Sequence, residues 1–189
     1  MSTKDITKLK ELTNKEKLSL VSTLLDSFKE RLDWDHYYML IAETVAVRST
    51  CRRHVGAIIV KDYVVVSTGY NGAPSGIKHC AERGGCLRQQ LNIPSGTKQE
   101  ICRAIHAEQN AMIRASKRDM EGATLYVNTF PCAICTRMII NARITRIVYK
   151  GDYQDELSKE MLAESGIEII KIDWNRKQVD IYDECRRIC

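Results

Sequence analysis

Two short stretches, Ile105-His106-Ala107-Glu108 and Phe130-Pro131-Cys132-Ala133-Ile134-Cys135, decide how this 189-residue chain is interpreted. The first supplies one histidine with a glutamate two residues later, and the second supplies two cysteines separated by two residues. One imidazole and two thiolates suit Zn²⁺, and three protein ligands leave the fourth tetrahedral position open for water. The two stretches together predict a zinc site with His106, Cys132 and Cys135 as ligands.

The residues beside these ligands favour a catalytic metal over a purely structural one. Glu108 lies too close to His106 in sequence to be one more ligand, and it can accept a proton from water that the metal has acidified. Pro131 fits the first position of a helix, where no backbone N–H is required. Cys132 and Cys135 would then share one face of the first turn, at the positive end of the helix dipole. Taken alone, a CxxC pair would equally fit a redox pair or half of a structural zinc site.

Composition limits the class of protein. A hydrophobic content of 44% and a charged content of 28% are ordinary for a soluble protein, and 189 residues suffice for one domain with a core. The N-terminus Met-Ser-Thr-Lys-Asp lacks an apolar signal region, and no apolar run is long enough to span a membrane. Eight cysteines without a secretion signal favour reduced thiols, metal ligation and a cytoplasmic location. The net charge of +5 fits a phosphorylated small molecule or a nucleic acid and does not choose between them.

Residues 1–32 are interpreted as a helical extension ahead of the main domain. The stretch Thr13-Asn14-Lys15-Glu16 has the form of a capping box. Apolar residues then recur at spacings of three and four, which predicts one apolar helical stripe; they are Leu18, Val21, Leu25, Phe28 and Leu32. We expect this helix to pack on the domain near Trp34 or across a subunit contact.

Between residues 33 and 172 apolar runs alternate with helical patterns, which predicts one α/β domain. The expected architecture is a single mixed five-stranded sheet layered with helices. His106 and Glu108 are expected in the first turns of a helix that begins near Ala104. Residues 77–102 show little periodicity, and 173–189 are interpreted as a tail. The predicted strands are Val55–Val60, one beginning at Val64, Thr124–Val127, Arg146–Tyr149 and Ile167–Ile170. The predicted helices cover about 33–49, 104–115, 131–141 and 156–165.

The assembled motifs resemble the cytidine and deoxycytidylate deaminase superfamily. An H-x-E followed by P-C-x-x-C is the signature of its zinc enzymes. The loop Gly69-Tyr70-Asn71-Gly72-Ala73-Pro74-Ser75-Gly76 and the continuation Gln109-Asn110-Ala111 after Glu108 are more particular to the deoxycytidylate branch. The resemblance covers about residues 34–172. Its other segments are Arg48-Ser49-Thr50-Cys51, Val55-Gly56-Ala57 and Leu91-Asn92-Ile93-Pro94-Ser95-Gly96.

The resemblance implies a hydrolytic deaminase that converts dCMP to dUMP and ammonia, supplying dUMP for thymidylate synthesis. The three predicted ligands would hold catalytic zinc, and Glu108 would carry protons from water to the ring nitrogen and to the departing ammonia. Asn71 would hydrogen-bond the sugar, and Tyr153 would pack on the base. From the residues alone, Asn71-Gly72 could be only a turn and Tyr153 an ordinary half-exposed tyrosine. The triphosphate dCTP could be a second substrate.

The resemblance also implies assembly and regulation. Members of this family are commonly hexamers that are activated by dCTP with Mg²⁺ and inhibited by dTTP. In such proteins the effector site involves the loop described above, here Gly69, Tyr70, Asn71 and Gly72. A homo-oligomer, most simply a hexamer, is therefore expected, with nucleotides as its ligands.

Two other classes of function remain open at this stage. One is a deaminase that acts on RNA, such as tRNA adenosine, with the same metal chemistry. A dense basic stripe with interleaved aromatic residues would favour it, but the basic residues are dispersed, and the chain has only two phenylalanines and two tryptophans. The other is a non-catalytic zinc module, against which Glu108 argues because a structural site needs no proton carrier. We therefore expect neither a nucleic-acid nor a membrane partner.

Four further cysteines precede the PCxxC motif and suggest a second metal. The weakly periodic segment 77–102, in which three of these cysteines lie, is long for a stretch that would be ordered by burial of apolar side chains alone. Four thiolates on a structural Zn²⁺ would fix it beside the active-site helix. His54 or His79 could replace one ligand, and four separately buried thiols are the alternative. The candidate ligands are Cys51, Cys80, Cys86 and Cys102.

Overall fold

The computed structural model describes residues 12–26, 28, 31–94, 96–153 and 155–173. The chain divides into two compact units, Met1–Asp33 and Trp34–Cys189. Except for Asp173, the predicted C-terminal tail lies outside the described residues. No helix in the described ranges is long and apolar enough to cross a membrane.

The first unit contains helix α1, Asn14–Asp26. The predicted capping box is confirmed: Thr13 N donates to Glu16 Oε2 at 2.7 Å, and Glu16 N donates to Thr13 Oγ1 at 3.3 Å. None of the side chains of α1 is buried, and Leu18 in the apolar stripe is 70% exposed. The extension of the helix to Leu32 was wrong. Phe28 N donates to the carbonyl oxygen of Leu25 at 3.3 Å, a bond over three residues of the kind that ends a helix, and neither Phe28 nor Leu32 is helical.

The second unit is built on one mixed sheet, as the sequence predicted. Across the described residues five strands lie in the order β2-β1-β3-β4-β5. Strand β1 lies between β2 and β3 and is antiparallel to both, whereas the central strand β3 pairs in parallel with β4, and β4 pairs in parallel with β5. The strands are β1 Gly56–Lys61, β2 Val64–Tyr70, β3 Thr124–Thr129, β4 Arg146–Gly151 and β5 Glu168–Lys171.

Helices cover both faces of the sheet, which is why its central strands have apolar residues on both sides. Helix α2, Trp34–Ala46, packs with Ile58 and Val148 on one face. The opposite face, with Ile59 and Ile147, is covered by three helices: α4, Ala107–Arg114; α6, Ala133–Asn141; and α7, Glu156–Ser165.

Two glycines allow helices to approach the sheet more closely than a side chain would permit. A Cβ added to Gly56 would lie 2.1 Å from the carbonyl oxygen of Ala42 in α2. A Cβ added to Gly69 would lie 2.2 Å from the carbonyl oxygen of Ala107 in α4. Any residue larger than glycine would therefore push the helix away, and at Gly69 the displaced helix is the one that follows His106.

Several predicted boundaries were wrong by a few residues. Helix α4 begins at Ala107, so His106 is its N-cap with extended backbone rather than a residue of the first turn. Cys132 is likewise the N-cap of α6, and Pro131 precedes the helix. The strand β2 continues through Tyr70, which removes Gly69 and Tyr70 from the predicted loop because they pair with Ala57 and Gly56.

The segment interpreted as irregular contains short helical turns that its weak periodicity did not reveal. Helix α3, Leu87–Gln90, and the 3₁₀ turns Ala81–Arg83 and Gln99–Ile101 lie in it, and α5, Lys117–Met120, follows α4. Turns this short bury too few residues to leave a helical stripe in the sequence.

Candidate active site

The three predicted ligands converge at the N-termini of α4 and α6. His106 Nδ1 lies 3.4 Å from the sulfurs of both Cys132 and Cys135. All three donor atoms lie within 4.8 Å of one another, and no other set of three or more His, Cys, Asp or Glu side chains in the described ranges is arranged in this way. The spacing fits a single metal ion held by one imidazole and two sulfurs.

The position of His106 is fixed by its own backbone neighbours. Its amide donates to Gln109 Oε1 at 2.9 Å, which satisfies an N–H at the start of α4. The preceding residue, Ile105, exchanges two backbone hydrogen bonds with Gly72, at 2.9 and 3.2 Å. The loop after β2 is therefore attached directly to the residue before the ligand.

Burial and mutual hydrogen bonds set the protonation of the cluster. The thiol of Cys135 donates to Cys132, which lowers the pKa of Cys132 to about 4 and raises that of Cys135. The hydrogen bond to Cys132 raises the pKa of His106. Glu108 is only 3% exposed, and burial raises the pKa of its carboxyl. One imidazole nitrogen and two sulfurs within 4.8 Å of one another form a donor set that Zn²⁺ prefers, so the residues present fit Zn²⁺.

A cavity of about 550 Å³ opens over this cluster. That volume lies in the range that holds a nucleotide-sized ligand. Its wall includes His106 and Glu108 together with aromatic rings and guanidinium groups. The other lining residues that concern the site are Arg52, Arg53, Asn71, Arg88, Gln99, Phe130 and Tyr153.

Comparison with known sequences agrees with this geometry. The sequence profile of the cytidine and deoxycytidylate deaminase zinc-binding region matches residues 32–150. The chain belongs to this family. The predicted resemblance is therefore confirmed, and the family's zinc-binding region contains the whole cluster of one histidine and two cysteines.

Individual deaminases of this family match this chain over different fractions of their own length. The deoxycytidylate deaminase of Saccharomyces cerevisiae is 38% identical over 166 residues, covering 86% of this chain but 50% of the yeast protein. The deoxycytidylate deaminase of Mycobacterium phage D29 is 43% identical over 124 residues, covering 63% of this chain and 95% of the phage protein. The chain thus spans half of one relative and nearly all of another.

A solved deaminase structure has the same fold. The dCMP deaminase of cyanophage S-TIM5, determined with dCMP and dUMP, superposes with a TM-score of 0.59 at 28% identity. The match covers 76% of this chain and 99% of the phage enzyme. The mixed sheet with helices on both faces is therefore the cytidine deaminase-like fold that the sequence predicted.

Most hydrogen-bonding groups of the Asn71 side chain, which lines the cavity, already have partners within the protein. Its Oδ1 accepts from Ser49 Oγ at 2.6 Å and from Val55 N at 2.9 Å, while its Nδ2 donates to the carbonyl oxygen of Arg53 at 2.7 Å. An amide has two N–H donors, so one hydrogen remains for a ligand. The side chain thus organises the connection between α2 and β1 as well as lining the cavity.

Tyr153 lies on the cavity wall, its predicted packing on a base stays a prediction, and its contacts within the protein were not foreseen. Its hydroxyl accepts a hydrogen bond from Gln99 Nε2 at 3.1 Å, and the guanidinium of Arg53 lies 5.6 Å from its ring centroid. Gln99 belongs to the segment interpreted as irregular, where no local signal marks it as part of the site.

The four upstream cysteines line the same cavity, but their sulfur atoms do not converge as a metal site would require. Burial, together with the neighbouring thiols of Cys102, Cys80 and Cys86, raises the pKa of Cys51 to about 11. Among the described residues their sulfurs are not within 4.8 Å of one another as a set, unlike the His106 cluster. The structure therefore gathers the four predicted ligands around one cavity, and none of the four forms a disulfide.

Proposed function

We propose that this chain catalyses the hydrolytic deamination of dCMP to dUMP and ammonia. The observation that carries the proposal is the buried carboxyl of Glu108 beside the His106, Cys132 and Cys135 cluster, at the wall of a nucleotide-sized cavity. The names of the similar yeast and phage enzymes support this choice of substrate.

The chemistry divides between the metal and the protein. When bound, Zn²⁺ would supply Lewis acidity, which lowers the pKa of water and makes it a nucleophile at neutral pH. Glu108 accepts one proton from that water and passes it to the ring nitrogen N3; it then takes the second proton from the new hydroxyl on C4 and gives it to the amino group as that group leaves. The water oxygen ends on C4 as the new carbonyl, the bond from C4 to the amino nitrogen breaks, and ammonia departs. The raised pKa of Glu108 suits a group that must both take and return a proton.

Charge and aromatic surface around the cavity support a nucleotide as substrate. Arg52, Arg53 and Arg88 line the cavity and provide positive charge for a phosphate. The ring of Tyr153 offers a face for a pyrimidine, and the remaining N–H of Asn71 can donate to the sugar. Of these cationic residues, Arg88 also orders the cavity wall by donating to the carbonyl oxygens of Pro94 and Lys98.

An ammonia-release assay tests the substrate. Purified protein would be incubated with dCMP, dCTP, deoxycytidine and adenosine-bearing tRNA. We expect the highest kcat/KM for dCMP, because the phosphate finds positive charge in the cavity. Turnover of tRNA with no free deoxynucleotide consumed would reject the proposal in favour of an RNA deaminase, and dCTP turnover at a similar rate would widen the substrate class.

A second, structural Zn²⁺ on the upstream cysteines is part of the proposal. The gathering of Cys51, Cys80, Cys86 and Cys102 around one cavity supports it. Metal stoichiometry tests it: two zinc ions per wild-type chain should fall to one in Cys80→Ser, with the catalytic ion retained. One zinc in both proteins would mean that these cysteines are only packed.

Assembly and regulation complete the proposal. We expect a cytoplasmic homo-oligomer, most simply a hexamer, activated by dCTP with Mg²⁺ and inhibited by dTTP through the Gly69–Gly72 segment. The backbone bridge from Gly72 to Ile105 supports this route, because a ligand on that segment would act on the residue next to His106. Rates measured with each effector would test the regulation, and light scattering would give the mass.

The exposed stripe of α1 supports a role in assembly. Removal of residues 1–30 should therefore lower the oligomer mass or the solubility. An unchanged mass, solubility and melting temperature would reject that role.

A further inference from the structure

The first turn of α7 holds the backbone on both sides of the ligand Cys132. Ala133 N donates to Asp155 Oδ2 at 2.9 Å, and Ser158 Oγ donates to the carbonyl oxygen of Pro131 at 2.9 Å. These two groups belong to the peptide units immediately after and immediately before Cys132. Both planes that determine the direction of its side chain are therefore hydrogen-bonded to one neighbouring helix.

The contacts form one connected network that runs from the half-buried Asp155 to the buried Ser158 and Thr136. Asp155 Oδ1 accepts from Ser158 N at 3.0 Å, so a single carboxylate caps α7 and binds the start of α6. The hydroxyl of Ser158 also lies 2.6 Å from that of Thr136, and both side chains are completely buried. Because Ser158 donates to Pro131, its oxygen accepts from Thr136. Each polar group in this network is used, as burial requires.

The network does more than a helix cap needs. Capping α7 requires only the bond from Ser158 N to Asp155, whereas the bonds to Ala133 and Pro131 cross to the metal-binding turn. Residues that orient a metal ligand in this way affect metal affinity even though they never touch the ion. Asp155 also lies two residues after Tyr153, so the same short connection carries a cavity-lining ring.

We infer that Asp155 and Ser158 are positioning residues that fix Cys132 in the geometry needed to bind the catalytic metal. The inference rests on the proposed function only in taking Cys132 as a ligand. It concerns metal binding by the folded chain and can be tested without a substrate.

The test compares metal binding by folded variants. Zn²⁺ affinity would be measured by competition with a chromophoric chelator. The absorption of the Co²⁺-substituted protein would report the thiolate geometry. We expect Asp155→Ala and Ser158→Ala each to weaken metal affinity about 10- to 100-fold and to shift the cobalt spectrum. Asp155→Asn keeps one acceptor oxygen and cannot accept from both Ala133 N and Ser158 N. The metal affinity of this variant should therefore lie between those of the wild type and Asp155→Ala.

Two controls separate positioning from general stability. Ser116→Ala removes the cap of α5, where Ser116 accepts from Asp119 N, and should lower the melting temperature without changing metal affinity. Asp152→Ala removes the exposed pairing with Lys171 in the same connection and should leave both the affinity and the cobalt spectrum unchanged.

Wild-type metal affinity and a wild-type cobalt spectrum in folded Ser158→Ala and Asp155→Asn would overturn the inference, even if Asp155→Ala failed to fold. If the wild type bound zinc at His106, Cys132 and Cys135 but deaminated no nucleotide, the proposed function would be rejected and this inference would still hold.

Discussion

At the residue scale the proposed chemistry depends on Glu108. Replacement by glutamine keeps the size of the side chain but removes its ability to carry a proton. We expect Glu108→Gln to lower kcat by at least about 10²- to 10⁴-fold, the usual contribution of a general acid–base group. Its zinc content, measured by atomic absorption, should stay at the wild-type value. Near-normal turnover would show that another group moves the protons.

Sequence and structure agree best where function depends on a short local pattern. The spacing of His106 and Glu108 and of Cys132 and Cys135 identified a set of residues that the fold brings together. The hydrogen-bond partners of Asn71 could not be predicted from such a pattern. Ser49, Arg53 and Val55 precede it by 16 to 22 residues, so they contact it only in the folded chain. The network around Asp155 was missed for the same reason, although Asp155 three residues before Ser158 is a recognisable capping pattern.

At the scale of elements, the two close helix–sheet contacts offer a matched pair of variants. Gly56→Ala and Gly69→Ala both place a methyl group against helix backbone, so each should lower the free energy of unfolding by about 1–3 kcal/mol. Only Gly69 supports α4, which begins next to His106. Metal affinity should therefore fall in Gly69→Ala and persist in Gly56→Ala. Chelator competition alongside thermal melting would check this, and equal affinities would show that the site adapts to a shifted helix.

Helix types and order were predictable because α4, α6 and α7 each bury one apolar side. The predicted bounds of α7 were confirmed, but the first residues of α4 and α6 were less predictable, since His106 and Cys132 have extended backbone at the N-cap while the residue after each is already helical. Periodicity registers only the side chains, whereas a helix start depends on backbone hydrogen bonds, so errors of a few residues are expected at that point.

At the scale of the whole molecule, an ion pair joins α2 to the parallel half of the sheet. Arg146 on β4 donates two hydrogen bonds to Asp35, at 2.8 and 2.7 Å, and Tyr126 on β3 donates a third at 2.8 Å. Burial alone would raise the pKa of Asp35, but the hydrogen bonds and the charge of Arg146 outweigh it and lower the pKa. The folded state therefore favours the ionised carboxylate.

This pair predicts a pH-dependent stability. Asp35→Asn should lower the free energy of unfolding by about 1.5–3 kcal/mol at pH 7, the range for hydrogen bonds to a charged group. Because the folded pKa lies below the unfolded one, the contribution is complete above the unfolded value and is lost as the pH falls through the folded value. Urea denaturation from pH 7 to pH 3 should therefore show the difference between wild type and Asp35→Asn narrowing below about pH 4. If the difference in unfolding free energy between the two proteins did not change with pH, the loss of stability in Asp35→Asn would be due to packing and not to the charge.

The position of β1 between β2 and β3 has a consequence for the order in which the molecule can fold. The hairpin of β1 and β2 can close locally, but Ala57 finds its other partner, Val127, far along the chain. Until β3 arrives, the hairpin has a bare edge, and closing so long a loop is slow. His106 precedes β3 and Cys132 follows it, so the metal ligands meet only after that insertion. During synthesis, zinc would therefore bind late and would stabilise a sheet whose strands had already paired.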